Sequence, residues 1–309
     1  MKSLPTLLGG IEAGGTKFNC ALGVAPDQIL ERASFATTTP ADTLEAVHRF
    51  FQHAQTRHGT LSALGIACFG PVDLDPSSPT YGFITNTPKA HWSNTDILGG
   101  LTDRLGVPAA FDTDVNGSAL GEGTLGAARG LDDYLYVTIG TGIGAGVVAN
   151  GRPIKGAMHP EVGHLLVPRD AERDPFPGAC PFHGDCIEGL AAGPALEKRW
   201  GQKAETFSPD HPAWELQAEY LATLCWNLTV TYSPQRIILG GGVMGQAHLF
   251  PRIHEHFQRI RQGYPCGRAA STAHTYIVPP GLAGRSGEAG ALLMARAALP
   301  ASHTASAAM

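Results

Sequence analysis

The stretch LLGGIEAGGTKFNCALG, residues 7–23, carries the pattern that is most informative about the fold. Apolar residues flank a glycine-rich bend, which is the pattern of a β-hairpin. A similar arrangement returns at residues 134–151, YLYVTIGTGIGAGVVANG, where two apolar runs flank the turn TGIG. The recurrence indicates an internal duplication.

Segments with strand-like and helix-like patterns alternate around these two hairpins, which predicts an α/β fold. The length of 309 residues suggests about two domains. We place the boundary near Ser118. The small domain then comprises residues 1–118 with a C-terminal helix at 287–300, and the large domain comprises residues 119–286.

The composition excludes several classes of protein. With a net charge of −5, the chain lacks the excess of basic residues that is typical of nucleic-acid-binding proteins. No apolar run approaches the ~18 residues of a membrane span, and the N-terminus lacks the pattern of a signal peptide. We therefore expect a cytoplasmic protein with no nucleic-acid or membrane partner, in which the six cysteines are reduced.

Three glycine-rich loops each follow an apolar strand. The first, EAGGTK, is neither a Walker A motif nor a dinucleotide-binding fingerprint, because a strand follows it. Its backbone N–H groups, hydroxyl and cation can nevertheless hold phosphate oxygens. The third, GGGV, is expected to open a helix. Any one loop could be only a tight turn, but three together favour a nucleotide. The candidate residues are Gly14, Gly15, Thr16, Lys17, Gly140, Thr141, Gly142, Gly240, Gly241 and Gly242.

A cluster of metal-binding residue types lies in CPFHGDC, residues 180–186. Cys180, His183 and Cys186 are spaced by three residues, and His164 lies upstream. Structural zinc takes four nitrogen or sulfur ligands in a tetrahedron, which this set could supply. A Cys180–Cys186 disulfide and unrelated buried thiols are the alternatives.

Five ordered motifs resemble those of the ROK family of sugar kinases, and most of all its fructokinase branch. They are GIEAGGTKF, FDTDVNGSALGEGTLGA, VTIGTGIGAGVV, HPEVGH and CPFHGDCIEGLAAGPAL. The resemblance implies the duplicated ribonuclease-H-like fold of actin-like ATPases, with ATP in a cleft between two domains. It also implies transfer of a γ-phosphoryl group to a sugar hydroxyl. Glu12 stands where many members have aspartate, a form that looks typical of the fructokinase branch.

The resemblance also assigns roles to residues. Asp114 matches the catalytic base, although an aspartate in this position more often caps a helix. Sugar contacts are implied for Asn86, Asn116, Glu161, His164 and Glu188. Family members hold zinc at the His164, Cys180, His183 and Cys186 positions, where we expect a structural ion. Mg²⁺ should bridge the phosphates of ATP, with Glu12 holding one of its waters.

The expected function is ATP-dependent phosphorylation of D-fructose to fructose 6-phosphate by a homodimer. One alternative is a related hexokinase that prefers mannose or glucose. Another is a sugar-binding regulator without catalysis. A DNA-binding regulator of this family needs an N-terminal helix-turn-helix, for which the start of the first predicted strand leaves no room. Because the phosphate loops lie elsewhere in the sequence, we expect the zinc loop to act on sugar binding and less on ATP.

Overall fold

The computed structural model describes residues 6–300, except for the side chains of residues 268 and 269. The strands β1–β12 are Leu7–Ala13, Lys17–Ala25, Gln28–Ala36, Leu61–Cys68, Phe83–Ile84, Thr95–Asp96, Ala109–Thr113, Tyr134–Ile139, Ile143–Ala149, Arg152–Pro153, Arg236–Gly240 and Ile277–Val278. The helices α1–α10 are Pro40–His58, Ile97–Leu105, Asp114–Leu125, Ile187–Ala191, Gly193–Trp200, Ala213–Tyr232, Leu249–Arg261, Gly267–Ala270, Ala273–Tyr276 and Ser286–Ala297. The predicted α/β class is confirmed.

The chain divides into two compact units. Within the described residues, unit 1 comprises 6–126, 155–159 and 282–300, and unit 2 comprises 127–154 and 160–281. The boundary therefore differs from the expected one near Ser118. That residue lies inside α3, which is one unbroken helix to Leu125, so the chain leaves unit 1 only after Gly126.

The sheet of unit 1 has the strand order β3-β2-β1-β4-β7. Strands β1, β2 and β3 form antiparallel pairs, while β4 runs parallel to β1 and β7 runs parallel to β4. The register aligns Ala13 with Cys68, and Cys68 with Thr113, so three parallel strands end at one edge. In open α/β sheets, ligands bind outside this carboxyl edge.

Small residues let helix α10 pack directly on this sheet. A Cβ atom at Gly65 would lie 1.9 Å from the carbonyl oxygen of Ala291, and one at Gly290 would lie 1.7 Å from that of Gly117. Any side chain at either position would force the backbones apart. The glycine pattern of α3 and α10 is thus explained by close helix packing within unit 1.

The sheet of unit 2 has the order β10-β9-β8-β11-β12. Its strands β8 and β9 form an antiparallel hairpin, and β11 runs parallel to β8 with Gly240 opposite Thr138. Strand order and direction therefore match those of unit 1, as the expected duplication requires. The core of unit 2 packs helix α6 against this sheet, with Trp214 and Leu221 fully buried.

Among residues 6–300, no helix combines the length and the apolar character needed to cross a lipid bilayer.

Candidate active site

The first glycine-rich turn and Asp114 both lie at the carboxyl edge of the unit 1 sheet. Gly14 follows β1, and Asp114 follows β7. The turn is closed by a hydrogen bond from Gly14 N to Lys17 O at 3.0 Å. The hydroxyl of Thr37 donates to Gly14 O at 2.7 Å. Thr16 and Lys17 remain exposed to solvent, where they can meet a ligand.

Asp114 is the first residue of α3, but it does not cap the helix. Thr113 is the cap, because its hydroxyl accepts from Asn116 N at 3.1 Å. Burial raises the pKa of the Asp114 carboxyl to about 6, and hydrogen bonds from backbone N–H groups, including that of Val115, oppose the shift. A carboxylate with a pKa near neutrality is suited to accept a proton.

Glu12, at the end of β1, forms an acidic neighbourhood with Asp114. Asn19 Nδ2 donates to Glu12 Oε2 at 2.7 Å. Burial raises the pKa of Glu12, and the charges of Asp114 and Glu288 raise it further, while Asn19 and Lys17 lower it. Carboxylates held this close attract a cation.

Asn116 lies in the interior of unit 1, with a side chain that is 1% exposed. Its Nδ2 donates to Asp112 Oδ1 at 2.7 Å. Asp112 Oδ2 also lies 2.9 Å from Lys155 Nζ. The sequence did not predict the contact between Asp112 and Lys155, because residues 155–159 lie in the sequence between two segments of unit 2.

Asn86 lies exposed in the loop that joins β5 to β6. The hydroxyl of Ser93 ties this loop by donating to Thr87 O at 3.0 Å, and Trp92 Nε1 donates to Thr38 O at 2.8 Å. These contacts fix the backbone around Asn86 and leave its side chain accessible.

The second glycine-rich turn, Gly140–Gly142, follows β8 at the carboxyl edge of the unit 2 sheet. Gly140 N donates to Gly142 O at 2.9 Å, and Gly193 N donates to Gly140 O at 2.8 Å. Thr141 is exposed. The turn therefore presents a hydroxyl, as the sequence predicts for a phosphate loop.

The third loop, Gly240–Gly242, follows the adjacent parallel strand β11. Gly240 is buried, while Gly241 and Gly242 are exposed. The expected helix does not begin there, because the chain forms only a four-residue 3₁₀ turn, Gly242–Gly245, and α7 begins at Leu249. The positive φ of 89° at Gly241 and its close approach to the backbone of Ile139 explain the break.

The four predicted zinc ligands converge within unit 2. Their ligand atoms all lie within 4.8 Å of one another. His164 Nδ1 lies 3.8 Å from Cys180 Sγ and 3.6 Å from Cys186 Sγ, and His183 Nδ1 lies 3.8 Å from Cys180 Sγ. Reciprocal backbone hydrogen bonds between Cys180 and Gly184 hold the loop in a tight turn.

The two predicted sugar-binding glutamates flank this cluster. Glu161 directly precedes the 3₁₀ turn Val162–His164, and Glu188 lies in α4, two residues after Cys186. Glu188 Oε2 accepts from Ile143 N at 2.9 Å. The second glycine-rich turn, although it lies elsewhere in the sequence, is therefore in direct contact with Glu188, which follows the Cys/His loop.

An ionic network that the sequence did not indicate supports the same region. Arg199 donates through Nε and Nη2 to the carboxylate of Asp174, at 3.2 and 3.1 Å. Tyr220 donates to the same carboxylate at 2.6 Å, and all three side chains are buried. No local motif signals this network, because its members lie on a loop and two separate helices.

Comparison with known proteins identifies the class. The ROK family model matches residues 8–298. The chain is 45% identical to a fructokinase of Pediococcus pentosaceus over 95% of this chain and 99% of that one. It is 44% identical to a fructokinase of Streptococcus mutans, over 90% and 92%. A ROK hexokinase from Thermus thermophilus superposes with a TM-score of 0.75 at 27% identity, covering 94% of this chain and 98% of that one.

The chain therefore belongs to the ROK family of sugar kinases, as its five motifs predict. Its fold is the duplicated fold of actin-like ATPases, which agrees with the matching strand orders of the two sheets.

Proposed function

We propose that this protein is an ATP-dependent fructokinase, which converts D-fructose and ATP to fructose 6-phosphate and ADP. The observation that carries the proposal is the 44–45% identity to fructokinases over at least nine-tenths of both chains. The placement of Asp114 at the carboxyl edge, beside a glycine-rich turn, supports it.

Asp114 acts as the general base in this proposal. Its carboxylate accepts the proton of the fructose 6-hydroxyl while that oxygen forms a bond to the γ-phosphorus. The bond from the γ-phosphorus to the β–γ bridging oxygen breaks, and ADP leaves with that oxygen. With a pKa of about 6, Asp114 is mostly ionised at neutral pH and still basic enough to accept the proton.

The glycine-rich turns supply the phosphate contacts. In unit 1, Thr16 and Lys17 are exposed beside the backbone of Gly14 and Gly15. In unit 2, Thr141 and the turn Gly140–Gly142 offer a hydroxyl and N–H groups, next to the strand end at Gly240. Phosphoryl transfer depends mainly on positioning and charge neutralisation, which such groups provide.

Magnesium fits the acidic neighbourhood of unit 1. Burial, and after it the charges of Asp114 and Glu288, raise the pKa of Glu12, and a divalent cation would offset that concentration of negative charge. We assign Glu12 to hold it through water. Bound Mg²⁺ neutralises charge on the phosphates.

Zinc fits the Cys/His cluster of unit 2. A tetrahedral ion with ordinary Zn–S and Zn–N bonds separates sulfur from nitrogen by about 3.6 Å. The observed Sγ to Nδ1 distances of 3.6–3.8 Å agree. With four protein ligands the site is closed, so we assign it a structural role.

For the sugar we assign Asn86, Glu161, His164 and Glu188, which are at least partly exposed. Asn116, by contrast, is buried against Asp112. We therefore assign it a structural role, in which it holds Asp112, in place of a sugar contact. The homodimer and the cytoplasmic location stay predictions.

The test is ADP release in a coupled assay with fructose, mannose, glucose and N-acetylhexosamines. We expect fructose to give the highest kcat/KM, because the matched fructokinases are far more similar than the Thermus thermophilus hexokinase at 27% identity. A tenfold preference for glucose or mannose would favour the hexokinase alternative. If none of these sugars supports ADP release, a non-catalytic sugar-binding regulator would be favoured.

A further inference from the structure

Glu188, which is assigned to the sugar, also contacts the second glycine-rich turn. Its Oε2 accepts from Ile143 N at 2.9 Å. A Cβ atom at Gly142 would lie only 2.7 Å from the same oxygen, so the carboxylate rests directly on the turn. Within the part of the chain that the structure describes, its other oxygen, Oε1, makes no hydrogen bond to the protein.

Two further residues, one beside a proposed zinc ligand and one seven residues after another, also contact this turn. A Cβ atom at Gly163, next to His164, would lie 2.0 Å from Ile143 O. Gly193 N donates to Gly140 O at 2.8 Å. The backbone of residues 140–143 is therefore held by the segments that carry and follow the zinc ligands.

Helix α4 holds Glu188 firmly because both of its ends are anchored. Ile187 N donates to Leu165 O at 2.9 Å at the start of the helix. At its end, Arg199 Nη1 donates to Leu190 O and Gln217 Nε2 donates to Ala191 O, each at 2.8 Å. A short helix fixed in this way can position a carboxylate on a backbone turn.

We propose that Glu188 is a positioning residue for the nucleotide as well as a sugar ligand. Oε2 holds the turn Gly140–Gly142 in its phosphate-binding form through Ile143 N, and Oε1 stays available to a sugar hydroxyl. Hydrogen bonds to an ionised acceptor are about twice as strong as neutral ones, which makes a carboxylate effective here. The inference rests on the proposed function, since it takes this turn as part of the ATP site.

The test compares two variants of matched length, Glu188→Met and Glu188→Gln. Glutamine keeps an oxygen that can accept from Ile143 N, whereas methionine fills similar space without one. The measurement is the Kd for ADP with Mg²⁺ and without sugar, by isothermal titration calorimetry. Glu161→Met is the control, because Glu161 also lies within a few residues of a proposed zinc ligand in the sequence but is assigned to the sugar alone.

We expect Glu188→Met to raise the ADP Kd by about tenfold, the order expected for one lost hydrogen bond to a charged group. Glu188→Gln should stay within about threefold of the parent, and Glu161→Met should leave the ADP Kd unchanged. The fructose KM should rise in all three variants. Equal ADP affinity in Glu188→Met and the parent would overturn the inference, as would an equal loss in Glu161→Met.

Melting temperature and zinc content identify variants that fold. If Glu188→Met does not fold, Glu188→Ala replaces it in the same comparison with Glu188→Gln. Failure of the proposed function can be distinguished from failure of this inference. A parent protein that binds ADP but does not phosphorylate fructose contradicts the fructokinase assignment and leaves the ADP comparison valid. A parent that binds no ADP overturns both.

Discussion

The two glycine-rich turns occupy the same position in two sheets of the same strand order, yet they are held in different ways. The turn of unit 1 is closed by its own hairpin and by Thr37, which directly follows β3. The turn of unit 2 is held by Glu188 and Gly193, which lie 45 or more residues further along the chain.

This difference indicates that the two halves of the duplicated fold have different roles. In unit 1, the turn is held by its own hairpin and by Thr37, while Glu12 lies near the end of β1 and Asp114 directly follows β7, where the proposed chemistry requires them. In unit 2, the turn is held by residues that follow the Cys/His cluster in sequence, so the proposed binding there depends on that segment. The comparison predicts that a variant of Asp114 in unit 1 alters turnover, while variants of the Cys/His loop in unit 2 alter affinity.

The largest effect is expected for Asp114→Asn. Turnover should fall by roughly 10²–10⁴, the usual contribution of general acid–base catalysis, while the ADP Kd stays unchanged. At pH 7.5 the melting temperature should rise, because the ionised carboxylate opposes folding above its raised pKa of about 6 and the amide does not. Near-normal kcat in steady-state assays would remove Asp114 from the role of base.

The next largest effect is expected for Cys180→Ser. Loss of one thiolate should release zinc, lower the melting temperature and raise the fructose KM by at least about tenfold, since structural zinc binding is also folding free energy. The ADP Kd should rise as well, because the zinc loop leads into Glu188.

Cys266→Ser is the control for that variant, since Cys266 is partly buried and lies outside the ligand cluster. It should keep about one zinc per chain by elemental analysis. An active parent without zinc, or a Cys180→Ser protein that matches the parent in stability and affinity, contradicts the assigned role of the loop.

A smaller effect is expected for Asn86→Ala. The side chain is exposed and the loop is tied by Ser93 and Trp92, so the fold should be unaffected. The fructose KM should rise several-fold to about tenfold, through loss of one polar contact, with kcat and melting temperature little changed. An unchanged KM would exclude Asn86 from the sugar site.

The smallest effect on affinity is expected for Asn116→Ala, and Asn86→Ala is the variant with which it is compared. Removing a buried amide leaves Asp112 without one of its donors, which should lower the free energy of unfolding by about 1–3 kcal/mol. The fructose KM should change less than in Asn86→Ala. Chemical denaturation and initial-rate kinetics measure the two quantities, and the opposite pattern would restore Asn116 as a sugar ligand.

Local patterns in the sequence were enough to predict the two hairpins, the α/β class and a C-terminal helix close to α10. Apolar runs broken by glycine determine such elements over a few residues. The Cys/His cluster was also predictable, because three of its four members share one short loop.

Contacts between distant segments were not predictable in the same way. Ile143 and Glu188 are 45 residues apart, and nothing in either local sequence shows that α4 packs on the second turn. Residues 155–159 join unit 1 although both neighbouring segments belong to unit 2, and the contacts of Lys155 with Asp112 and of His159 with Val72 could not be read from the sequence. The inward orientation of Asn116 likewise depends on a partner in β7.

The pH dependence of kcat/KM for fructose tests the central claim most directly, because that quantity reports the ionisation of the base in the free enzyme. Asp114 must be ionised to accept a proton, so kcat/KM should fall as the pH drops through about 6. The residual activity of Asp114→Asn should lack that step, while Glu161→Gln should retain it. A parent profile that stays flat down to pH 4.5, or the same step in Asp114→Asn, would contradict the account.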